Sequence, residues 1–413
     1  MSISEGTVAP HFGIAARPDA IALKALAASV IGYALDGFDL LILGFMLRAI
    51  SADLRLSSAQ AGSLVTWTLV GAVAGGIIFG ILSDYYGRVR VLTWSILLFA
   101  VFTGLGAVAQ GYWDLLFYRI IAGLGLGGEF GIGMALVAET WPAPLRARAC
   151  SYVALGWQLG VLVAALVTPA LLPIIGWRGM FLVGLIPGLV AFVVRLYVGE
   201  PTIFLNTMKV GRTKMTVALL VKDAATAKIS LGMFVLCAVQ NFGYYGLMIW
   251  MPSYLSGKFG FALTQSALWT AVTVLGMAFG ISIFGVFADK VGRRPALLTF
   301  QAAAFVMVLV YSQLSAPMPL LIGGAAMGVF VNGMLGGYGT LLAELYPTQA
   351  RATAENVLFN LGRGVGGFGP LVIGALAATY SFTTAIALLS TIYIVDIVAT
   401  FALIPERKGR PLE

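Results

Sequence analysis

A nine-residue pattern occurs twice in the chain, as Gly80-ILSDYYG-Arg88 and as Gly285-VFADKVG-Arg293, at a spacing of 205 residues. The same offset carries Glu139, Pro142 and Arg146 onto Glu344, Pro347 and Arg351. A spacing this long in constant register marks a duplicated domain rather than a short-period solenoid. Whatever one half folds into, the other must repeat, and facing helical halves build a central site between them.

The halves are too apolar for a soluble fold. Of 413 residues, 60% are hydrophobic and 10% charged, with a mean hydropathy of +0.96, against roughly 25% charged in soluble domains. Apolar runs of about 20 residues cross a bilayer core. They predict an all-α membrane protein of twelve spans: TM1 22–47, TM2 60–82, TM3 90–111, TM4 114–139, TM5 150–173, TM6 178–198, TM7 229–254, TM8 264–288, TM9 296–314, TM10 318–343, TM11 352–377 and TM12 381–403. No cleavable leader pattern precedes TM1, which is expected to direct insertion itself. Two six-helix units are expected at 1–198 and 229–413. The linker between them, 199–228, carries Lys209, Arg212, Lys214, Lys222 and Lys228 and reads as an amphipathic helix on the membrane surface. Gly123, Gly127 and Gly131 in TM4, and Gly362, Gly366 and Gly369 in TM11, suit close helix packing in lipid.

With the N-terminus in the cytosol, inward loops and tails hold 18 of the 25 Lys and Arg residues. The outward loops hold only Arg48, Arg55, Arg178 and Lys258. That asymmetry predicts cytosolic termini, and it makes the net charge of +8 a topology signal rather than a nucleic-acid footprint. Cys150 and Cys237 are isolated in apolar context, and His11 is the only histidine. No disulfide framework, metal centre, cofactor or nucleophile–histidine site is expected, so an enzyme is not.

Charged groups at bilayer depth cost several kcal/mol unless they face protein, water or a counter-charge. TM1 carries Asp36 and Asp39 in Tyr33-ALDGFDL-Leu41, sharing a helical face at i,i+3. Either acid can load and release a proton, or bond to a neighbouring helix. TM4 carries Arg119 and Glu129, ten residues or about 15 Å apart along the axis, so each needs a partner on another helix. Glu129 is a proton-coupling candidate and Arg119 a substrate contact, with scaffold ion pairing as the alternative. TM11 carries Asn360 and Arg363, both read as substrate contacts. An arginine keeps its charge inside a protein, and its fork matches a carboxylate. Arg363 is therefore read as the anchor of an anionic substrate, or as a lock between the halves. Its counterpart in the first half is Gln158, while Asp36 and Asp39 map onto Asn241 and Tyr244. Gln240, Asn241, Tyr244, Tyr245 and Trp250 on TM7, Trp157 and Gln158 on TM5, and Asn332 on TM10 could enclose a planar body. Asp396 on TM12 is a weaker candidate.

The duplicated loops read as gates. Their glycine permits a tight reversal, and Asp84 and Asp289 can accept bonds from arginine or from helix N-termini. Arg88 and Arg293 lie in the same loops; Glu139 with Arg146, and Glu344 with Arg351, are expected to supply opposing charges.

The two G-x-x-x-D-x-x-G-R copies, with Arg119-IIAGLGLGG-Glu129, resemble the major facilitator superfamily over essentially the whole chain. The resemblance implies two pseudo-symmetric six-helix bundles rocking about a central cavity. Asp36-GFD-Asp39 is similar to the metabolite:proton symporters, above all the branch importing 4-hydroxybenzoate, protocatechuate, benzoate and cis,cis-muconate. By that likeness, roles in transport fall on Asp36, Asp39, Arg119, Glu129 and Arg363. TM8 has no internal arginine, which departs from carriers of monocarboxylates that depend on one.

The expected function is proton-coupled import of a small organic carboxylate, an aromatic acid first, across a bacterial inner membrane. Its partners are the organic anion, protons and the bilayer, with a monomer holding the whole site. Muconate, nicotinate, monocarboxylates, sugar acids and sialate are alternative cargoes, and a proton-antiport exporter is the rival mechanism.

Overall fold

The computed structural model describes residues 18–195, 198–210, 217–260 and 263–408. Among these every regular element is helical. Ten stretches are long and apolar enough to cross a membrane. The other two expected spans are helical but atypical. TM6 is the far part of a run Arg146–Arg195 that it shares with TM5, reversing at Gly176 (φ 66°). TM11 is split into Arg351–Gly366 and Gly369–Thr379, and Glu355, Asn356, Asn360 and Arg363 lower its hydropathy. TM4 and TM10 break within one residue of equivalent places, after Gly127 and Gly333. TM1, as Ala20–Leu54, runs longer than its apolar core and is capped by the Asp19 side chain.

The helix pairs that pack most closely within each half are TM1 with TM5, TM2 with TM4, TM8 with TM10 and TM7 with TM11. Close approach sets the glycines. A Cβ on Gly75 would lie 1.9 Å from the Leu124 carbonyl oxygen, and one on Gly280 would lie 2.0 Å from that of Val329. These two contacts are again 205 residues apart. Between the halves, the principal contacts are TM5 with TM8 and TM2 with TM11, a pair exchanged by the same pseudo-symmetry.

Asp39 and Arg119 brace TM1 against TM4. Arg119 Nη1 donates to Asp39 Oδ1 at 3.2 Å, Nη2 donates to Oδ2, and Thr103 Oγ1 adds a third bond at 3.2 Å. Both side chains are fully buried. Breaking a buried pair by removing one charge costs about 3–5 kcal/mol. Asp39→Asn is thus expected to lower the melting temperature in detergent strongly, and Asp39→Asn/Arg119→Gln together to recover part of the loss. Unchanged melting with lost accumulation would make Asp39 a coupling acid instead.

Only part of the linker is the expected helix. It contains a helix, Thr202–Val210, and a 3-10 turn, Val217–Val221; residues 211–216, with Arg212 and Lys214, lie outside the described residues, as does the Lys209 side chain. Part of it meets protein: Phe204 lies under the Arg88 guanidinium, 4.6 Å from it, and the Leu220 carbonyl accepts from Ser230 Oγ at 2.6 Å, whereas Leu205, Val217 and Val221 are exposed. At the opposite end, Arg178 pairs with Asp53 and holds that exposed carboxyl below its usual value, with Trp177 Nε1 assisting. A lowered value means the contact stabilises above the unfolded-state pKa and fades as acid reprotonates Asp53. Its exposure makes the effect small.

Candidate functional site

The loop end is tied crosswise. Asp84 accepts from Arg88 Nη1 at 2.6 Å and, across the interface, from the Thr353 backbone N–H at 2.8 Å. Asp289 sits likewise, accepting from the Arg148 backbone N–H at 3.1 Å across the interface, with Arg293 Nη1 3.4 Å away as an ion pair. Glu139 Oε1 accepts from Arg88 (3.0 Å) and from Arg351 of the other half (2.7 Å). Glu344 Oε1 accepts from Arg293 (2.8 Å) and from Arg146 of the other half (3.2 Å). Glu139, Arg146, Glu344 and Arg351 thus supply opposing charges to one another across the interface, Glu139 with Arg351 and Glu344 with Arg146. Arg146 Nε donates to the Ala138 carbonyl at 3.1 Å, and Arg351 Nε to that of Ala343 at 3.0 Å. Each guanidinium is thereby turned away from its own half's glutamate and across the interface.

Sequence reasoning missed two acids here. Glu200 accepts from the Arg88 and Arg90 backbone N–H groups (2.7 and 3.0 Å), and Glu406 from those of Arg293 and Arg294 (3.2 and 2.9 Å). They cap TM3 and TM9, whose N-cap glycines Gly87 and Gly292 have φ of 112° and 110°. Their spacing is 206 residues, one off the repeat, so a constant-register comparison passes over them. Side chains also key the halves together. A Cβ on Gly80 or Gly131 would come within 2.8 or 2.5 Å of Asn356, and one on Gly285 or Gly336 within 2.6 or 2.3 Å of Ser151. Gly131→Val should act against closure of the loop end by about 1–3 kcal/mol, measured as faster thiol labelling of a cysteine placed at the buried Thr348 position. An unchanged labelling rate would refute this keying.

Above the latches, Phe130 and Phe359 from opposite halves stack with centroids 3.7 Å apart. Asn360 Nδ2 donates to the Gly127 carbonyl at 3.2 Å, so Asn360 holds the halves together and does not line the cavity. Arg119, spent on Asp39, does not line it either. Glu129 accepts from Ser95 Oγ at 3.0 Å, inside the first half.

The remaining candidates converge. Trp157, Gln158, Gln240, Asn241, Tyr244, Tyr245, Asn332 and Arg363 surround one polar spot, joined by Tyr33, Leu335 and Phe359. Trp157, Tyr244 and Tyr245 also border a larger cavity of about 550 Å³, whose other walls come from TM1, TM2, TM5, TM7, TM8 and TM11 and are mostly aliphatic. Residues such as Gly44, Val65, Ala165 and Thr270 place this cavity toward the end away from the loops. Arg363 is 4% exposed. Its guanidinium carbon lies 5.3 Å from the Trp157 ring and 5.5 Å from Phe359, and no salt bridge reaches it among the described residues. Asp36 and Tyr245 act on it electrostatically. Trp157 Nε1 donates to Tyr244 Oη at 3.2 Å, and Gln240 donates to Asn332. The Trp250 side chain lies outside the described residues. Tyr33 and Phe359 were legible as aromatics one helical turn before Asp36 and Arg363. Asp396 is buried within the second half and borders neither space.

Two facing bundles, a cavity between them and latches at one end are the architecture of an alternating-access carrier. The family model of the Major Facilitator Superfamily matches residues 29–270 and 233–413, and the chain belongs to that family. A Haemophilus influenzae protein whose name assigns it to metabolite transport is 66% identical over 94% of this chain and 98% of its own length. The cis,cis-muconate transport protein of Acinetobacter baylyi is 32% identical over 91% and 92%, and the 4-hydroxybenzoate transporter PcaK of the same organism 28% identical over 86% and 85%. The solved proton:xylose symporter XylE has the same fold, with a TM-score of 0.80 at 18% identity over 96% of this chain and 98% of its own. The chain is a multi-pass membrane transporter of metabolites.

Proposed function

We propose that this transporter is a proton-coupled importer of a small organic carboxylate, an aromatic acid such as a hydroxybenzoate first, in a bacterial inner membrane with both termini cytosolic. Arg363 carries the reading. It is a buried cation flanked by aromatic rings, with no acid in salt-bridge contact among the described residues, beside a mostly aliphatic cavity. A carboxylate would take the guanidinium fork at two points. The rings of Tyr33, Trp157, Tyr244 and Tyr245 would cover a planar body, and amides of Gln158, Gln240, Asn241 and Asn332 would meet a ring hydroxyl. Muconate, nicotinate, monocarboxylates, sugar acids and sialate are alternative cargoes; the muconate-transporting relative supports the wider anion class.

Coupling follows from charge. Asp36 feels Arg363, and in a low-dielectric site one cation favours one anion beside it. Substrate carboxylate arriving at Arg363 therefore favours a proton on Asp36, and a protonated Asp36 favours the anion. Such reciprocity is thermodynamic linkage. Asp39 and Arg119 serve as scaffold in this scheme, and Glu129 is a second coupling candidate. The units 1–198 and 229–413 rock about the linker 199–228, the latches Asp84, Arg88, Glu139, Arg146, Asp289, Arg293, Glu344 and Arg351 closing the cytosolic side, and a monomer suffices.

The test is thermal-shift screening of purified protein with benzoate, hydroxybenzoates, muconate, nicotinate, lactate and sialate, followed by proteoliposome uptake under an imposed pH gradient. Stabilisation by amines and by none of these acids would overturn the reading.

A further inference from the structure

The two loop-end latches are near copies, but one holds an additional acid. Glu355 lies on TM11 one turn beyond Arg351 and is fully buried. Neither of its carboxylate oxygens has a hydrogen-bond partner among the described residues. The charged groups acting on it are Arg351 on its own helix, Glu139 on TM4, and Arg88 and Asp84 at the loop between TM2 and TM3; Cys150 on TM5 also feels it. The oxygens of Asp84 and Glu139 are all bonded, to Arg88, Arg351 and the Thr353 backbone. Two guanidiniums thus already serve two carboxylates, and Glu355 is the third.

In the other latch, Asp289 and Glu344 face Arg293 and Arg146, with Arg148 beside Asp289. The position equivalent to Glu355 there is Cys150, a buried neutral thiol. The same architecture is therefore complete without a carboxylate at this place. A buried carboxylate with no hydrogen bond is strongly disfavoured in its ionised form, and here two bonded carboxylates stand close by.

We propose that Glu355 is a proton-binding site of the loop-end gate: it holds a proton while the gate is closed and releases it when the parting halves admit water. Closing takes up one proton at Glu355 and opening returns it to the solution on that side. The site lies on the loop side of the Phe130–Phe359 stack, apart from the substrate cavity, and does not depend on which anion is carried. It gives the gate its own response to pH. Acid on the loop side favours closure, because the closed form binds one proton more than the open form.

The experiment reads the gate directly, without substrate. Spin labels are placed at the exposed, pseudo-equivalent positions of Tyr86→Cys and Val291→Cys on the two loops, in otherwise full-length protein in nanodiscs. Pulsed distance measurements between pH 5 and pH 9 give closed and open populations. In the otherwise wild-type chain the closed-to-open ratio should rise on acidification by up to about tenfold per pH unit across the titration. Glu355→Gln, a neutral isostere, should remain closed throughout and lose that slope. Should the glutamine variant fail to yield monodisperse protein, Glu355→Met is the second neutral side chain of similar length, with the same expectation. A slope retained in the neutral variant, or absent from the wild-type chain, would overturn the proposal. Failure of the anion-import reading would appear instead in the uptake assay, with this slope intact.

Discussion

Arg363→Gln is expected to lower uptake by about 100-fold or more while leaving a folded protein. The substitution removes one side of a desolvated charge pair that forms only when substrate is present, and such truncations cost about 2–5 kcal/mol. Because no acid is in salt-bridge contact with Arg363 among the described residues, its removal breaks no ion pair; Asp36, which lies in its field, can take a proton in its place, and stability should change little. Arg363→Lys should be intermediate. It keeps the charge and loses the fork, so two-point recognition goes while attraction stays. The measurements are initial uptake in proteoliposomes and ligand-induced thermal shift, with melting temperature as the folding control. Wild-type uptake by the glutamine variant would remove Arg363 from substrate binding.

Asp36→Asn should separate binding from energy coupling. The amide imitates the protonated acid, so anion binding at Arg363 should persist and its dependence on external pH should flatten. Accumulation against a gradient should be lost, while exchange of labelled for unlabelled substrate continues. Asp39→Asn is expected to fail differently, through stability, because its carboxylate is engaged by Arg119 and Thr103. Asp36→Asn protein that still accumulates substrate uphill would place coupling elsewhere, with Glu129 next in line.

Much of the fold was legible because lipid leaves few options. Twelve apolar spans, the 205-residue repeat and the loop motifs lead to the two bundles directly, and eight of the ten proposed substrate contacts border one polar spot. What the sequence concealed was direction around each helix. Asp36 and Asp39 share a face by spacing, yet one is within the field of Arg363 and the other is bonded to Arg119. Asn360 and Arg363 share TM11, yet Asn360 turns to the Gly127 carbonyl of the opposite half. Which latch residues pair was hidden for a similar reason. Glu139 and Arg146 are close in sequence, but the backbone carbonyl of Ala138 captures the arginine first.

The crosswise latches bear on how smoothly the carrier can turn over. Glu139 and Glu344 each hold one arginine from their own half and one from the other. If the halves part as proposed, Arg88 would stay with Glu139 and Arg293 with Glu344, while Arg351 and Arg146 would pass to water together with the backbone groups that bridge to Asp84, Asp289 and Arg88. Neither acid would then be stripped bare. In that proposed motion the ionic part of unlatching is the hydration of two guanidiniums at an opening rim, a reversible step, with the backbone bonds to Asp84 and Asp289 and the Phe130–Phe359 stack separating beside it.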